Sequence, residues 1–183
     1  NQAYVSNEES THINLTISFD SLIPPVVFLE MPINNLITNN PNINFNCSAT
    51  DNVGLRNISL YGNFSGNFEY NDSASLSGNS DSTTFTLSLA EGFYKWNCLA
   101  YDTDNNYDWG NSNNTLLVDF TDPSITLLNP PDDVSFSSDI IDFNFTVNDN
   151  LHNILNCSLV IDSSLKAQVL ANVNETTNFQ QTV

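Results

Sequence analysis

Few residues in this chain of 183 are of the kinds that carry chemistry. There are three cysteines (Cys47, Cys98, Cys157), two histidines (His12, His152) and three basic residues (Arg56, Lys95, Lys166). The cysteines and histidines fall at no zinc-ligand spacing, and neither histidine has a nucleophile at triad-like spacing. Carboxylates are plentiful, but pairing two of them as acid and base requires a geometry that spacing alone does not give. Asp102-Thr-Asp-Asn-Asn-Tyr-Asp108 sets Asp102, Asp104, Asn106 and Asp108 at alternate positions, like the opening of a calcium loop. Tyr107 stands where such a loop needs glycine and Asn113 where it needs glutamate, so it is not an EF-hand. The aromatics Tyr61, Phe64, Phe68, Tyr70, Tyr107 and Trp109 occupy loops or strand ends. There they either stack on sugars or cover a domain end and meet a neighbour. The expectation is a protein that is no enzyme and carries no cofactor.

Charge excludes further classes. Only 13% of residues are charged, and 21 acidic residues against three basic ones leave a net charge of -18. Nothing here displaces counterions from a nucleic-acid backbone, and docking on anionic lipid is disfavoured as well. The longest apolar runs, such as Pro24 to Leu29, are far too short for a membrane span. A start at Asn1 rather than Met suggests a processed product or an excised fragment. Amides and hydroxyls take the place of charge. Asn14, Asn46, Asn57, Asn63, Asn71, Asn113, Asn144, Asn156 and Asn174 each open an Asn-X-Ser/Thr triplet suited to N-glycosylation. Several such triplets arise by chance in a chain this rich in Asn, Ser and Thr.

The elements that must position these residues repeat. Pro25-Val-Val-Phe-Leu-Glu-Met-Pro32 matches Pro123-Ser-Ile-Thr-Leu-Leu-Asn-Pro130 at an offset of 98. The same offset carries Ile43-Asn-Phe-Asn-Cys-Ser-Ala-Thr-Asp-Asn52 onto Ile141-Asp-Phe-Asn-Phe-Thr-Val-Asn-Asp-Asn150. After one inserted residue, Asn57-Ile-Ser-Leu60 lies on Asn156-Cys-Ser-Leu159. Three blocks in one order indicate two copies of one domain. Each block alternates with period two, as half-buried strands do. Ile43, Phe45, Cys47 and Ala49 point inward, as do Ile141, Phe143, Phe145 and Val147; the intervening polar residues point out. Phe85, Leu87 and Leu89, and Tyr94, Trp96, Cys98 and Ala100, continue the pattern. Short strands separated by turns, with no helical period, predict an all-β fold of two antiparallel sandwiches in tandem.

Asn46-Cys-Ser-Ala-Thr-Asp-Asn-Val-Gly54, Tyr94-Lys-Trp-Asn-Cys-Leu-Ala-Tyr-Asp102 and the proline linkers give the chain a family likeness. It resembles the tandem immunoglobulin-like repeats of large prokaryotic, often archaeal, surface proteins, over most of residues 22–183. The resemblance implies an extracellular or cell-surface location and says little about activity. It places Cys47 on strand B and Cys98 on strand F, where an intersheet disulfide would form; two buried free thiols are the alternative. Trp96 takes the place where many such domains carry a corner tyrosine. The resemblance also sets the B–C and F–G loops at the end where the linker enters. Asp51, Asp102 and Asp104 would converge near Asp20, and Asp149 near Asp119 and Asp122, offering calcium a site at each junction. Solvated turns built on Asp and Asn are the competing expectation.

The second copy ends on a segment matching strand E of the first, so strands F and G are expected to be lacking and Cys157 to have no bridging partner. The N-terminus looks like the complement. Ile13-Asn-Leu-Thr-Ile-Ser-Phe-Asp20 leads into Pro24-Pro25 as Asn114-Thr-Leu-Leu-Val-Asp119 leads into Pro123. Residues 1–21 therefore form an N-terminal donor-strand segment, 22–121 a first Ig-like domain, and 122–183 a second, incomplete one. Two functions follow. One is a subunit of an extracellular filament, pilus or surface stalk. There Ile13, Leu15, Ile17 and Phe19 of one copy complete the second domain of the next, a head-to-tail homopolymer carrying N-linked glycans. The other is a piece of a long multi-Ig surface adhesin or carbohydrate-binding protein.

Overall fold

A computed structural model describes residues 22–182. The donor-strand residues Ile13, Leu15, Ile17 and Phe19, together with Asn14, His12 and Asp20, lie outside the described residues. Within them are fourteen strands and no α-helix. Among the described residues no helix is long and apolar enough to cross a membrane, which says nothing of strands.

The first half comprises β1 (Val26–Met31), β2 (Leu36–Thr38), β3 (Asn42–Thr50), β4 (Leu55–Gly62), β5 (Glu69–Ser75), β6 (Ser80–Ser88), β7 (Gly92–Asp102), β8 (Tyr107–Trp109) and β9 (Asn114–Val118). One sheet runs β1-β3-β6 and the facing one β2-β9-β7-β4-β5, with β8 added on β7. Every pairing is antiparallel except β2 with β9, which is parallel. The alternation read from the sequence decides the packing. Phe45, Cys47 and Ala49 from one sheet and Ile58, Leu60, Trp96, Cys98, Ala100, Leu116 and Val118 from the other are fully buried in one core. Phe45 meets the Trp96 ring edge-on at 5.2 Å, and the Cys47–Cys98 disulfide is formed and ties β3 to β7 across that core.

The second half repeats the plan with β10 (Ser124–Asn129), β11 (Ile140–Asn148), β12 (Ile154–Ile161), β13 (Ser164–Asn172) and β14 (Thr176–Thr182). Its sheets are β10-β11-β14 and β12-β13. The repeat extends to register. Val26 pairs with Thr50 and Ser124 with Asn148, and the bulge between Leu29 and Met31 recurs between Leu127 and Asn129. Phe145, Val147, Ala171 and Phe179 form a second, smaller core. This is an immunoglobulin-like β-sandwich fold.

One sequence expectation shifts within the core. The corner hydrogen bond is made by Tyr94, whose hydroxyl donates to the Ala90 carbonyl at 3.0 Å. Trp96 instead faces inward, and its Nε1 is buried without a partner among the described residues. Strand alternation brings residues 94 and 96 to the same face, but only Tyr94 lies at the strand's start, close to the turn.

Candidate functional site

The feature that sets the halves apart is the edge of β12. In the first half the corresponding strand, β4, has β5 on one side and β7 on the other. β12 pairs with β13 alone, so among the described residues its other edge is an unpaired row of backbone donors and acceptors. A two-stranded sheet is marginal in water, and a flat free edge invites pairing with another strand.

The side chains inside that edge tell the same story. An apolar groove of ≈ 380 Å³ is lined by Ile125, Leu127, Phe143, Phe145, Cys157, Leu159 and Phe179 among others. The repeat gives each an equivalent in the first half, where β7 and β9 cover the position. Val27 is 7% exposed, whereas its counterpart Ile125 is 57% exposed and Leu127 is 77% exposed. Ile58 and Leu60 are fully buried; their counterparts Cys157 and Leu159 are only half-buried. Cys157 is a free thiol whose proton is held more tightly than usual because burial disfavours the thiolate.

A second cluster lies where the halves meet. Asp119, just past β9, and Asp149 and His152, in the turn between β11 and β12, bring one ligand atom each within 4.8 Å of the others. The Asp149 carboxyl accepts hydrogen bonds from the backbone of His152 and Leu151, which hold its pKa below the ordinary carboxylate value. Glu91 binds the same region: it accepts from Phe120 N at 2.9 Å and from Asn150 Nδ2 at 2.6 Å. Of the acidic residues grouped from the sequence, Asp149 does approach Asp119. Asp122 is exposed and outside the cluster. At the other end Asp51, Asp102 and Asp104 form no such group among the described residues. Asp51 Oδ1 caps its own turn through Val53 N and Gly54 N, and the buried Asp102 carboxylate is engaged by Asn106. His152 was missed because its spacing to the other histidine and the cysteines fits no ligand motif. The repeat held the signal, since it sets His152 in the turn that opens at Asp149.

The glycosylation triplets divide by what their amides do. Asn46 Nδ2 donates to Thr84 Oγ1, and Asn63 Nδ2 to the Phe93 carbonyl while Asn63 Oδ1 accepts from Lys95 N. Asn57 Oδ1 accepts from Arg56 Nε, Asn113 Oδ1 from Asn97 Nδ2 and Asn144 Oδ1 from Asn178 Nδ2. Asn71, Asn156 and Asn174 are exposed.

The aromatics noted in the sequence sort by face. Phe64 turns inward onto Phe45 and Tyr94. Tyr61 gathers Trp109 at 4.7 Å, Tyr70 at 5.8 Å and Phe68 at 6.5 Å, and Tyr107 lies 5.2 Å from Tyr101. These rings share the outer face of the larger sheet, covering Leu99 and Asn97.

No protein-family model matches this chain, and no curated protein matches it. Solved structures that align with it include the fibronectin(III)-like modules of Clostridium thermocellum CbhA, at 14% identity and a TM-score of 0.45 over 86% of this chain and 79% of that one. Dimeric latent PorU of Porphyromonas gingivalis aligns at 15% identity and a TM-score of 0.41, over 88% of this chain but 17% of that one. A chicken TCR aligns at 14% identity and a TM-score of 0.38, over 81% and 88%.

Proposed function

We propose that this protein is a non-catalytic structural subunit of an extracellular surface filament or stalk, joined head to tail by strand donation. The observation that carries the reading is the open edge of β12 above an uncovered apolar groove. Two entering strands, one on the β12 edge in the place β7 takes on β4 and one beside it in the place of β9, would complete the backbone ladder and cover the groove together, which is how strand addition combines affinity with specificity. The donor is the N-terminal segment of another copy. With Pro24 set on Pro123, one residue off the register of the repeat, Ile17 and Phe19 match Leu116 and Val118 of β9, both fully buried in the first half, while Ala3-Tyr4 matches Ala100-Tyr101 of β7. Donor and acceptor surfaces differ, so each contact leaves a free donor and a free acceptor, and repetition builds a fibre. A disulfide inside a sandwich fits an oxidising compartment, and glycans on Asn71, Asn156 and Asn174 would hydrate a surface short of charge.

The test is the size of the full chain in solution, by light scattering and electron microscopy, beside an Ile17→Asp/Phe19→Asp variant. Assembly of the parent and a monomeric variant support the reading. A parent that stays monomeric at high concentration, its groove served by a strand of its own polypeptide, overturns it.

One observation favours a second reading, a glycan-binding module. Phe68, Tyr70 and Tyr107 are 42%, 54% and 57% exposed on one sheet face, and exposed aromatic rings stack on sugars. A glycan array that shows binding lost in Tyr70→Ala supports it; an array without binding removes it.

A further inference from the structure

The cluster at the end of β9 sets two carboxylates on one imidazole, and apart from that ring they have, among the described residues, only neutral backbone donors, Leu151 N and His152 N on Asp149 and Thr121 N on Asp119. Asp119 Oδ2 lies 3.0 Å and Asp149 Oδ1 3.2 Å from His152 Nδ1. The two carboxylate side chains keep only 10% and 2% of their exposure, while the imidazole keeps 38%. Taking two carboxylates out of water side by side is costly unless a cation is shared between them. Among the described residues the ion pairs of both aspartates are with His152 alone. The chain's basic residues are three, and one of them, Arg56, is spent on the Tyr101 ring and Asn105. A neutral imidazole offers a single Nδ1 proton to both anions.

We propose that Asp119, Asp149 and His152 bind a first-row divalent cation of the zinc class, which pins the end of β9 to the β11–β12 turn. The donor set selects the metal. Two carboxylate oxygens and one imidazole nitrogen suit zinc, whereas calcium and magnesium favour oxygen throughout. Ligands about 2.0–2.2 Å from a tetrahedral zinc stand roughly 3.3–3.5 Å apart. The observed 3.0 and 3.2 Å separations therefore need only a small outward shift. On binding, Nδ1 gives its lone pair to the metal and the neutral ring carries its proton on Nε2; water completes the shell. The first half provides an internal contrast. Asp51 makes the same turn as Asp149, but Gly54 stands where the repeat puts His152. Glu91, through Asn150 and Phe120, steadies the segments beside both aspartates without joining the shell. This site is independent of what fills the β12 edge.

The experiment is calorimetric titration of the chelator-treated full chain with zinc chloride, then with calcium and magnesium chloride, in a Cys157→Ser background that removes the free thiol. One zinc per chain is expected. Its affinity should fall by at least about tenfold in His152→Ala, the scale that even an outer-shell partner commands. Thermal melting should rise with zinc in the parent and stay fixed in His152→Ala. Asp119→Asn repeats the test should His152→Ala fail to fold. Absence of zinc binding, affinity unchanged in both variants, or tighter binding of calcium than zinc would each overturn the site.

Discussion

Removing the Cys47–Cys98 bridge tests how the first sandwich is held. The two sulfurs are fully buried and join β3 to β7, closing a loop with a sequence separation of 51. In the chain-entropy account that loop withdraws about 14 cal/mol/K from the unfolded ensemble, or about 4 kcal/mol at 25 °C. For a unit of roughly 100 residues each kcal/mol moves the midpoint by about 4–8 °C, so a Cys47→Ala/Cys98→Ala variant should melt about 16–32 °C lower. The second half is a control within the same molecule, since Phe145 occupies the place of Cys47 and its core has no bridge. Differential scanning calorimetry with near-ultraviolet circular dichroism should therefore show one transition displaced and the other unmoved. A displacement of only a few degrees, or equal displacement of both transitions, would refute the reasoning that this covalent tie carries the first sandwich.

Other outcomes follow from single contacts. Tyr94→Phe deletes the hydroxyl bonded to the Ala90 carbonyl and should cost about 1 kcal/mol, read as a lower denaturant midpoint at unchanged slope. The Glu91 carboxyl is held below its ordinary pKa by the Thr121 hydroxyl first, with Phe120 N and Asn150 Nδ2 adding to it. Its contribution is thus complete above the unfolded glutamate's titration near pH 4.5 and is lost as pH falls through the lower folded value. Glu91→Gln should flatten that acid limb, and a limb of unchanged steepness in a pH series of melts would contradict the assignment. Material from a glycosylating source should lose carbohydrate mass at Asn71, Asn156 and Asn174 on amidase treatment, with Asn63, whose amide is bonded on both sides, remaining unmodified.

What the sequence disclosed, it disclosed through period and repetition. The alternation of Ile43, Phe45, Cys47 and Ala49 depends only on a strand having a dry face, and each of these side chains is buried. The same rule, applied at an offset of 98, yields Phe145 and Val147 in the second core. Turns and loops were less legible because their contacts are long-range. The backbone turn at Asp149, which meets Asp119, is the same as that at Asp51, and the local difference that bears on the cluster is the residue three places on, His152 against Gly54. Likewise, the ring group around Tyr61 is assembled from β4, β5 and β8, and no single stretch of sequence contains it. His152 shows the limit plainly. Spacing motifs detect groups that share an element, whereas Asp119 and the pair Asp149 and His152 come together from two halves of the chain.

The most direct test of strand donation is a covalent trap at the β12 edge. In the first half Ile58 lies opposite Ala100; Cys157 takes the place of Ile58, and Ala3-Tyr4 matches Ala100-Tyr101. Ala3→Cys should therefore oxidise with Cys157 of a neighbouring copy. A non-reducing gel should show a ladder in steps of 20.3 kDa that collapses on reduction and is absent from Ala3→Cys/Cys157→Ser. A single band at the monomer mass, with Cys157 still open to alkylation, would contradict the account.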